Sequence, residues 1–159
     1  MTRPFGQESQ TIGEAVAYGV AGELDRGLEL LQPIVDAGRV STYALLAGLA
    51  EAAAFTALQN QAAGEPFVLQ LENTATGQQA SVDVLPPPLR FAGQFLTAWA
   101  NRDQDTALAL FNALADHSER TGSPDLGNAV SLIYDMAVAT CTDVVRERRA
   151  DRGGQGGGA

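Results

Sequence analysis

Lysine is missing from the sequence, and all ten basic residues are arginine. Isoleucine is scarce while alanine and glycine are abundant, a bias more typical of a GC-rich genome than of a function that avoids lysine. Cysteine occurs once, at Cys141, so an internal disulfide is excluded and nothing indicates an oxidising compartment.

Long apolar runs are also lacking. The first ten residues contain no apolar segment of the kind found in a signal peptide. The longest candidate for a membrane span, residues 43–58, is rich in alanine and is interrupted by Glu51. The sequence therefore predicts no membrane segment and a cytoplasmic protein.

Residues that commonly carry catalysis or bind metals are rare. His117 is the only histidine, and it lies between Asp116 and Glu119 in a polar segment. A zinc site normally needs three or four ligands, so a solvated loop histidine is a better interpretation than a metal ligand or a general base. Cys141 falls on an apolar helical stripe, which favours a buried structural thiol over a nucleophile.

Sequence motifs for bound phosphate and for hydrolysis are absent too. No glycine-rich phosphate loop, no G-x-S-x-G and no H-E-x-x-H occurs in the chain. We therefore predict that the protein is not an enzyme, needs no cofactor and has no metal site.

The charge is acidic and unevenly distributed. The chain has a net charge of −9, with 17 acidic residues against six arginines in residues 1–145 and two against four in residues 146–159. An acidic body repels phosphate backbones and anionic lipid surfaces, so neither nucleic acid nor a membrane is an expected partner. A protein partner fits better.

What is present is the composition of one soluble helical domain. With 159 residues, 45% apolar and 18% charged, the chain suits a single core. We predict a flexible lead over residues 1–8, a helical domain over residues 9–149 and a flexible glycine-rich tail over residues 150–159.

Apolar residues at helical spacing predict six helices, and residues 116–124 are predicted to be a polar loop between the last two. The predicted helix starts are Ser9 or Thr11, Asp25, Ser41 or Thr42, Pro87 or Pro88, Asp103 or Asp105, and Ser123.

A central β-hairpin is predicted near residues 67–85, between the two helical halves. Phe67, Leu69 and Leu71 alternate with Val68, Gln70 and Glu72 before a turn. After it, Ala80, Val82 and Val84 alternate with Ser81 and Asp83. Because an isolated two-stranded ribbon is marginal in water, we expect its apolar face to lie on the helices. The alternative, that its outer edges bind an extended peptide, is less favoured because the outward residues are polar.

The two halves resemble each other. Residues 24–31 align with residues 104–111, and residues 45–50 align with residues 132–137 after seven further residues in the 116–124 loop. The pattern predicts three helices per half. Whether it reflects a true duplication is left open, because amphipathic helices often match by chance.

The second half also carries a short motif. Asp105, Ala107, Leu108, Leu110 and Phe111 resemble the second helix of a tetratricopeptide-type hairpin, and the resemblance covers about 25 residues per half. The resemblance is one of helical-hairpin packing and implies a mainly α fold with weakly tetratricopeptide-like stacking.

Aromatic side chains with polar groups are the binding candidates, since they could line a groove between helices. Packing in the core is the alternative, and it is the stronger one for Trp99, one helical turn from Phe95. The candidate binding residues are Tyr18, Tyr43, Arg90, Trp99 and Tyr134.

These observations rank four functions. The leading prediction is a non-catalytic, cytoplasmic protein-interaction or adaptor module of helical-repeat type. A small-molecule-binding regulatory protein, with a pocket between the two halves, is the alternative. An enzyme built around His117 and nearby carboxylates comes third, and self-association into a homodimer through exposed apolar strips is a fourth possibility.

Overall fold

A computed structural model describes residues 5–60, 71–72, 79–80 and 85–155 of the chain. Its described part contains six α-helices, as the sequence predicted. They are α1 (Phe5–Val20), α2 (Leu24–Asp36), α3 (Arg39–Asn60), α4 (Pro87–Ala100), α5 (Gln104–Thr121) and α6 (Asp125–Gln155).

The predicted central β-hairpin is wrong for the described part of the fold, which is built of helices. Between α3 and α4, the described residues contribute only a bridge of two residues on each side, in which Leu71 pairs with Ala80 and Glu72 with Gln79. The other positions of the predicted hairpin lie outside the described residues.

Short turns separate the helices within each half. Gly22 (φ 91°) ends α1 and Gly38 (φ 123°) ends α2, both in the left-handed region that favours glycine. Proline at position 33 does not end α2, which continues to Asp36. At the start of α5, Asp103 Oδ1 accepts a hydrogen bond from the Thr106 amide at 3.2 Å, so Asp103 is the N-cap.

The predicted polar loop over residues 116–124 is mostly helix instead. Helix α5 continues to Thr121 and ends at Gly122, where φ is 68°. The prediction was wrong because polar side chains occur on an exposed helical turn as well as in a loop. The residue that marks the end of α5 is the left-handed Gly122. His117 therefore lies in the last part of a helix.

The helix ends also differ from those expected. Helix α1 begins at Phe5, before the expected caps at residues 9 and 11, and α6 runs through two glycines to Gln155. The start of α6 follows the prediction more closely, since Ser123 Oγ accepts a hydrogen bond from the Asp125 amide at 3.2 Å. Residues 146–154 are exposed, so the last turns of α6 extend beyond the core.

Helices α3 and α6 form the centre of the bundle and make the most extensive interhelix contact. The side chains of Leu45, Leu46 and Leu49 on α3, and of Ile133 and Ala137 on α6, are fully buried. Residues 39–59 of α3 are long and apolar enough to cross a membrane by length and composition alone. The central helix of a soluble protein passes the same test, and the buried leucines of α3 lie in the bundle core.

The two halves occupy equivalent places in the bundle. Helix α1 packs on α2 and α6, and α4 correspondingly packs on α5 and α3. Leu31 and Phe111, which align between the halves, are both buried. Helix α1 also packs against α6, so the first and last helices of the chain are in contact.

Candidate functional site

Tyr134 belongs to the core and not to a groove. Its side chain is fully buried, and its hydroxyl donates a hydrogen bond to the Ala15 carbonyl at 2.7 Å. Two glycines make room for the hydroxyl: a Cβ atom on Gly27 would lie 1.9 Å from it, and one on Gly19 would lie 2.8 Å away. The tyrosine thus joins α6 to α1 and α2.

Tyr18 lies apart from the other candidates, on the α1–α2 side. The guanidinium carbon of Arg26 lies 4.7 Å from the centre of its ring, which is a cation–π contact. Arg26 also pairs with Glu23 at 3.6 Å, and both side chains are at least half exposed. This surface contact stabilises the turn between the two helices and offers no enclosed site.

Tyr43 and Trp99 do come together, in an aromatic cluster at the edge of the core. The Tyr43 ring contacts Phe95, Trp99 and Phe111 at centroid distances of 6.2, 6.5 and 5.3 Å. Both Tyr43 and Trp99 are half-buried. Burial raises the pKa of the Tyr43 hydroxyl above its ordinary value, because the ionised form loses hydration.

A carboxylate on α3 fixes the orientation of the tryptophan. Trp99 Nε1 donates to Glu51 Oε1 at 2.9 Å, and the Arg102 guanidinium donates to the same oxygen. The indole N–H is therefore already satisfied, and Trp99 joins α4 to α3. Core packing, the alternative weighed from the sequence, accounts for this residue.

Arg90 is the candidate that lies in a groove. Cavities of about 290 and 470 Å³ follow each other along the outer side of the α4–α5 hairpin, and both are lined by Gln94 and Leu110. We call this continuous depression the α4–α5 groove. Its lining extends along α4 from Pro87 to the residue after its end, Asn101, which is about 20 Å at 1.5 Å per residue.

The floor at the Arg90 end of the groove is apolar. Phe91, Leu110 and Leu114 line it, and all three also pack in or against the core. Ala113, on α5, lines the same end and is exposed. The small side chain keeps the groove open at this point.

Charges differ between the two ends of the groove. Arg90 is half-buried and makes no ion pair with any described residue. Near it, His117 Nε2 lies 3.9 Å from Asp125 Oδ2. At the other end Asp103 is exposed, and its hydrogen bond with Thr106 lowers the pKa of its carboxyl. One end of the groove thus presents Arg90, which has no ion-pair partner among the described residues, beside His117 and Asp125, and the other end presents the Asp103 carboxylate.

Sequence reasoning found Arg90 but missed the residues that form the groove with it. Gln94, Leu110 and Ala113 recur at helical spacing on the facing sides of two antiparallel helices. Nothing in the sequence singled these residues out for a groove, because neither helix alone shows that their outer sides meet in a depression. Within the described residues, no group of three or more histidine, cysteine or acidic side chains is arranged to hold a metal ion.

Comparison of the chain with family models, with curated proteins and with solved structures finds no match in any of the three.

Proposed function

We propose that the chain is a non-catalytic, cytoplasmic protein-interaction module that binds a peptide segment of its partner in the α4–α5 groove. The observation that carries the proposal is the shape of this groove, which is open along about 20 Å of a helical hairpin and has an apolar floor. Small-molecule sites usually enclose most of their ligand. An open groove of this length suits about six residues of extended chain at 3.3 Å each.

Two further properties support a protein partner. The charged groups of the groove lie at its two ends, with Arg90, His117 and Asp125 at one end and Asp103 at the other. Charges at both ends can orient a bound chain along the groove. The sequence motifs of the common catalytic classes are also absent.

Peptide arrays test this proposal directly. Fluorescently labelled full-length protein would be incubated with synthetic heptapeptide arrays, and the affinities of the strongest peptides would be measured in solution. We expect Ala113→Tyr to weaken binding at least about tenfold, because the added ring fills the groove. The matched control is Ala109→Tyr, since Ala109 is an equally exposed alanine on α5 that does not line the groove.

Two results would contradict the proposal. One is an array in which no heptapeptide binds above background. The other is binding that Ala113→Tyr and Ala109→Tyr reduce equally. Sedimentation of the same samples separates self-association from peptide binding, because a homodimer would sediment above the monomer mass of 16.6 kDa without added peptide.

A small-molecule-binding function remains the second candidate, because a separate cavity lies between the halves. It measures about 390 Å³, is formed by α1 and α6, and is lined by Val20, Val145 and Arg149 among others. Apolar walls beside an arginine would suit a small apolar anion. A metabolite that raises the melting temperature of the wild type but not of Arg149→Gln would favour this function over peptide binding.

A further inference from the structure

We propose that the peptide bound in the α4–α5 groove ends there, with its C-terminal carboxylate held by Arg90. This inference rests on the proposed function and adds the chemistry and the direction of the partner. It starts from Arg90, a half-buried guanidinium that has no ion-pair partner in the described part of the chain. Four other arginines in that part pair with carboxylates, namely Arg26, Arg39, Arg102 and Arg146.

The surroundings of Arg90 give meaning to its lack of an ion-pair partner among the described residues. Arg120, Arg148 and Arg152 are exposed to solvent, and Arg149 is an exposed residue at the cavity between α1 and α6. Arg90 instead shares its cavity with Phe91 and Leu114. An arginine in partly apolar surroundings binds a carboxylate through two parallel N–H···O bonds more strongly than one in open solvent does.

The other charged groups at this end leave the guanidinium available. Asp125 lies across the cavity, where its Oδ2 is 3.9 Å from His117 Nε2. No ion pair forms between Asp125 and Arg90. The incoming carboxylate would therefore meet a guanidinium that has no ion-pair partner among the described residues.

A chain terminus suits this end better than an acidic side chain does. His117 lies near the end of α5 and Asp125 begins α6, so the connection between these helices bounds the groove beside Arg90. A peptide entering from the Asp103 end reaches that boundary after about 20 Å. The whole protein also carries a net charge of −9, which disfavours a peptide rich in acidic residues. A terminal carboxylate supplies a single negative charge for Arg90, and the rest of the peptide can be uncharged.

The orientation follows from the two ends of the groove. The terminal carboxylate lies at Arg90, the apolar side chains of the last residues lie over Leu110 and Leu114, and upstream residues extend towards Asp103. A basic residue about six positions before the terminus would face the Asp103 carboxylate. The partner is thus a protein with an apolar C-terminal segment that is accessible.

The test uses paired heptapeptide arrays that share one set of sequences. In one array every peptide has a free carboxyl terminus, in a second the terminus is amidated, and in a third an amidated peptide ends in an added aspartate. We expect the labelled full-length chain to bind the first array, and to bind the second at least about tenfold more weakly, the range for a lost charge-assisted hydrogen bond.

Substitutions link the effect to the arginine. Arg90→Gln should weaken binding to the free-acid peptides at least about tenfold and leave binding to the amidated peptides unchanged. Arg90→Lys should restore part of the loss, because it keeps the charge without the paired donors. Arg120→Gln is the control, since Arg120 is exposed and lies outside the groove lining.

The results distinguish failure of this inference from failure of the proposed function. If free-acid and amidated peptides bound equally and Ala113→Tyr still weakened both, recognition of a terminal carboxylate would be refuted. Peptide binding in the groove would still stand. If the added-aspartate array bound more strongly than the free-acid array, the group that Arg90 binds would be an acidic side chain and not a chain terminus. Unchanged affinity in Arg90→Gln would remove Arg90 from the site. No binding to any array would overturn both proposals.

Discussion

The contact between Gly27 and Tyr134 predicts that an ordinarily favourable substitution will destabilise this protein. Gly27 lies inside α2 and is buried. A Cβ atom there would lie 1.9 Å from the Tyr134 hydroxyl and 2.6 Å from the Ala15 carbonyl oxygen. The same two atoms form a buried hydrogen bond of 2.7 Å. Gly27→Ala must therefore move two helices or the tyrosine, and in either case it strains or breaks the bond.

The expected loss can be estimated from opposing contributions. Replacing glycine by alanine inside a helix gains about 0.5–1 kcal/mol. Overpacking a close core contact costs about 1–3 kcal/mol, and loss of the hydrogen bond costs about 1 kcal/mol. We expect a net loss of about 2 kcal/mol in the free energy of unfolding. For a chain of this size that corresponds to a fall in Tm of about 4–8 °C.

Denaturant and thermal unfolding, followed by circular dichroism, measure this effect against a matched control. Gly13 lies in α1, and a Cβ atom on it would meet nothing within 4 Å. Gly13→Ala should therefore raise Tm slightly. Tyr134→Phe removes one of the clashing atoms, so Gly27→Ala should cost less in that background. If Gly27→Ala stabilised the wild-type protein as much as Gly13→Ala does, the close-packing argument would be refuted.

Three further predictions concern polar contacts. Arg39→Ala removes two 2.8 Å ion pairs to exposed carboxylates of α5, and should lower Tm in low salt but hardly at all in about 1 M salt. Glu51→Ala leaves the indole N–H of Trp99 without its partner, so it should destabilise by about 1 kcal/mol and shift the emission of this single tryptophan; unchanged emission would contradict the contact. Burial raises the pKa values of Tyr43 and Tyr134, so the stability that they contribute is complete below about pH 10 and is lost above it, as the unfolded chain ionises first. Alkaline unfolding that begins at the same pH in the wild type and in Tyr134→Phe would count against this origin.

The sequence by itself determined the helices of the fold. Apolar residues at helical spacing, prolines near helix starts and left-handed glycines act through neighbours in the chain, so the six helices could be predicted without tertiary information. Ser123 and Asp103 cap α6 and α5 as local hydrogen-bonding chemistry requires. Errors arose where the local signal was ambiguous. The polar last turn of α5 was taken for a loop, and alternation over residues 67–85 was taken for a hairpin, whereas the described part of the fold is built of helices.

Only the tertiary structure decided what each side chain does. Tyr134 and Arg90 were equal binding candidates in the sequence, yet one is buried against Ala15 while the other lines a groove. The difference depends on which helices meet, and for Tyr134 the contact is with a residue 119 positions earlier in the chain. The groove itself exists because α4 and α5 pack side by side, with Gln94 of α4 and Ala113 of α5 lining its two sides. The sequence pattern shows which face of each helix is apolar. The depression between two helices depends on how those helices pack together.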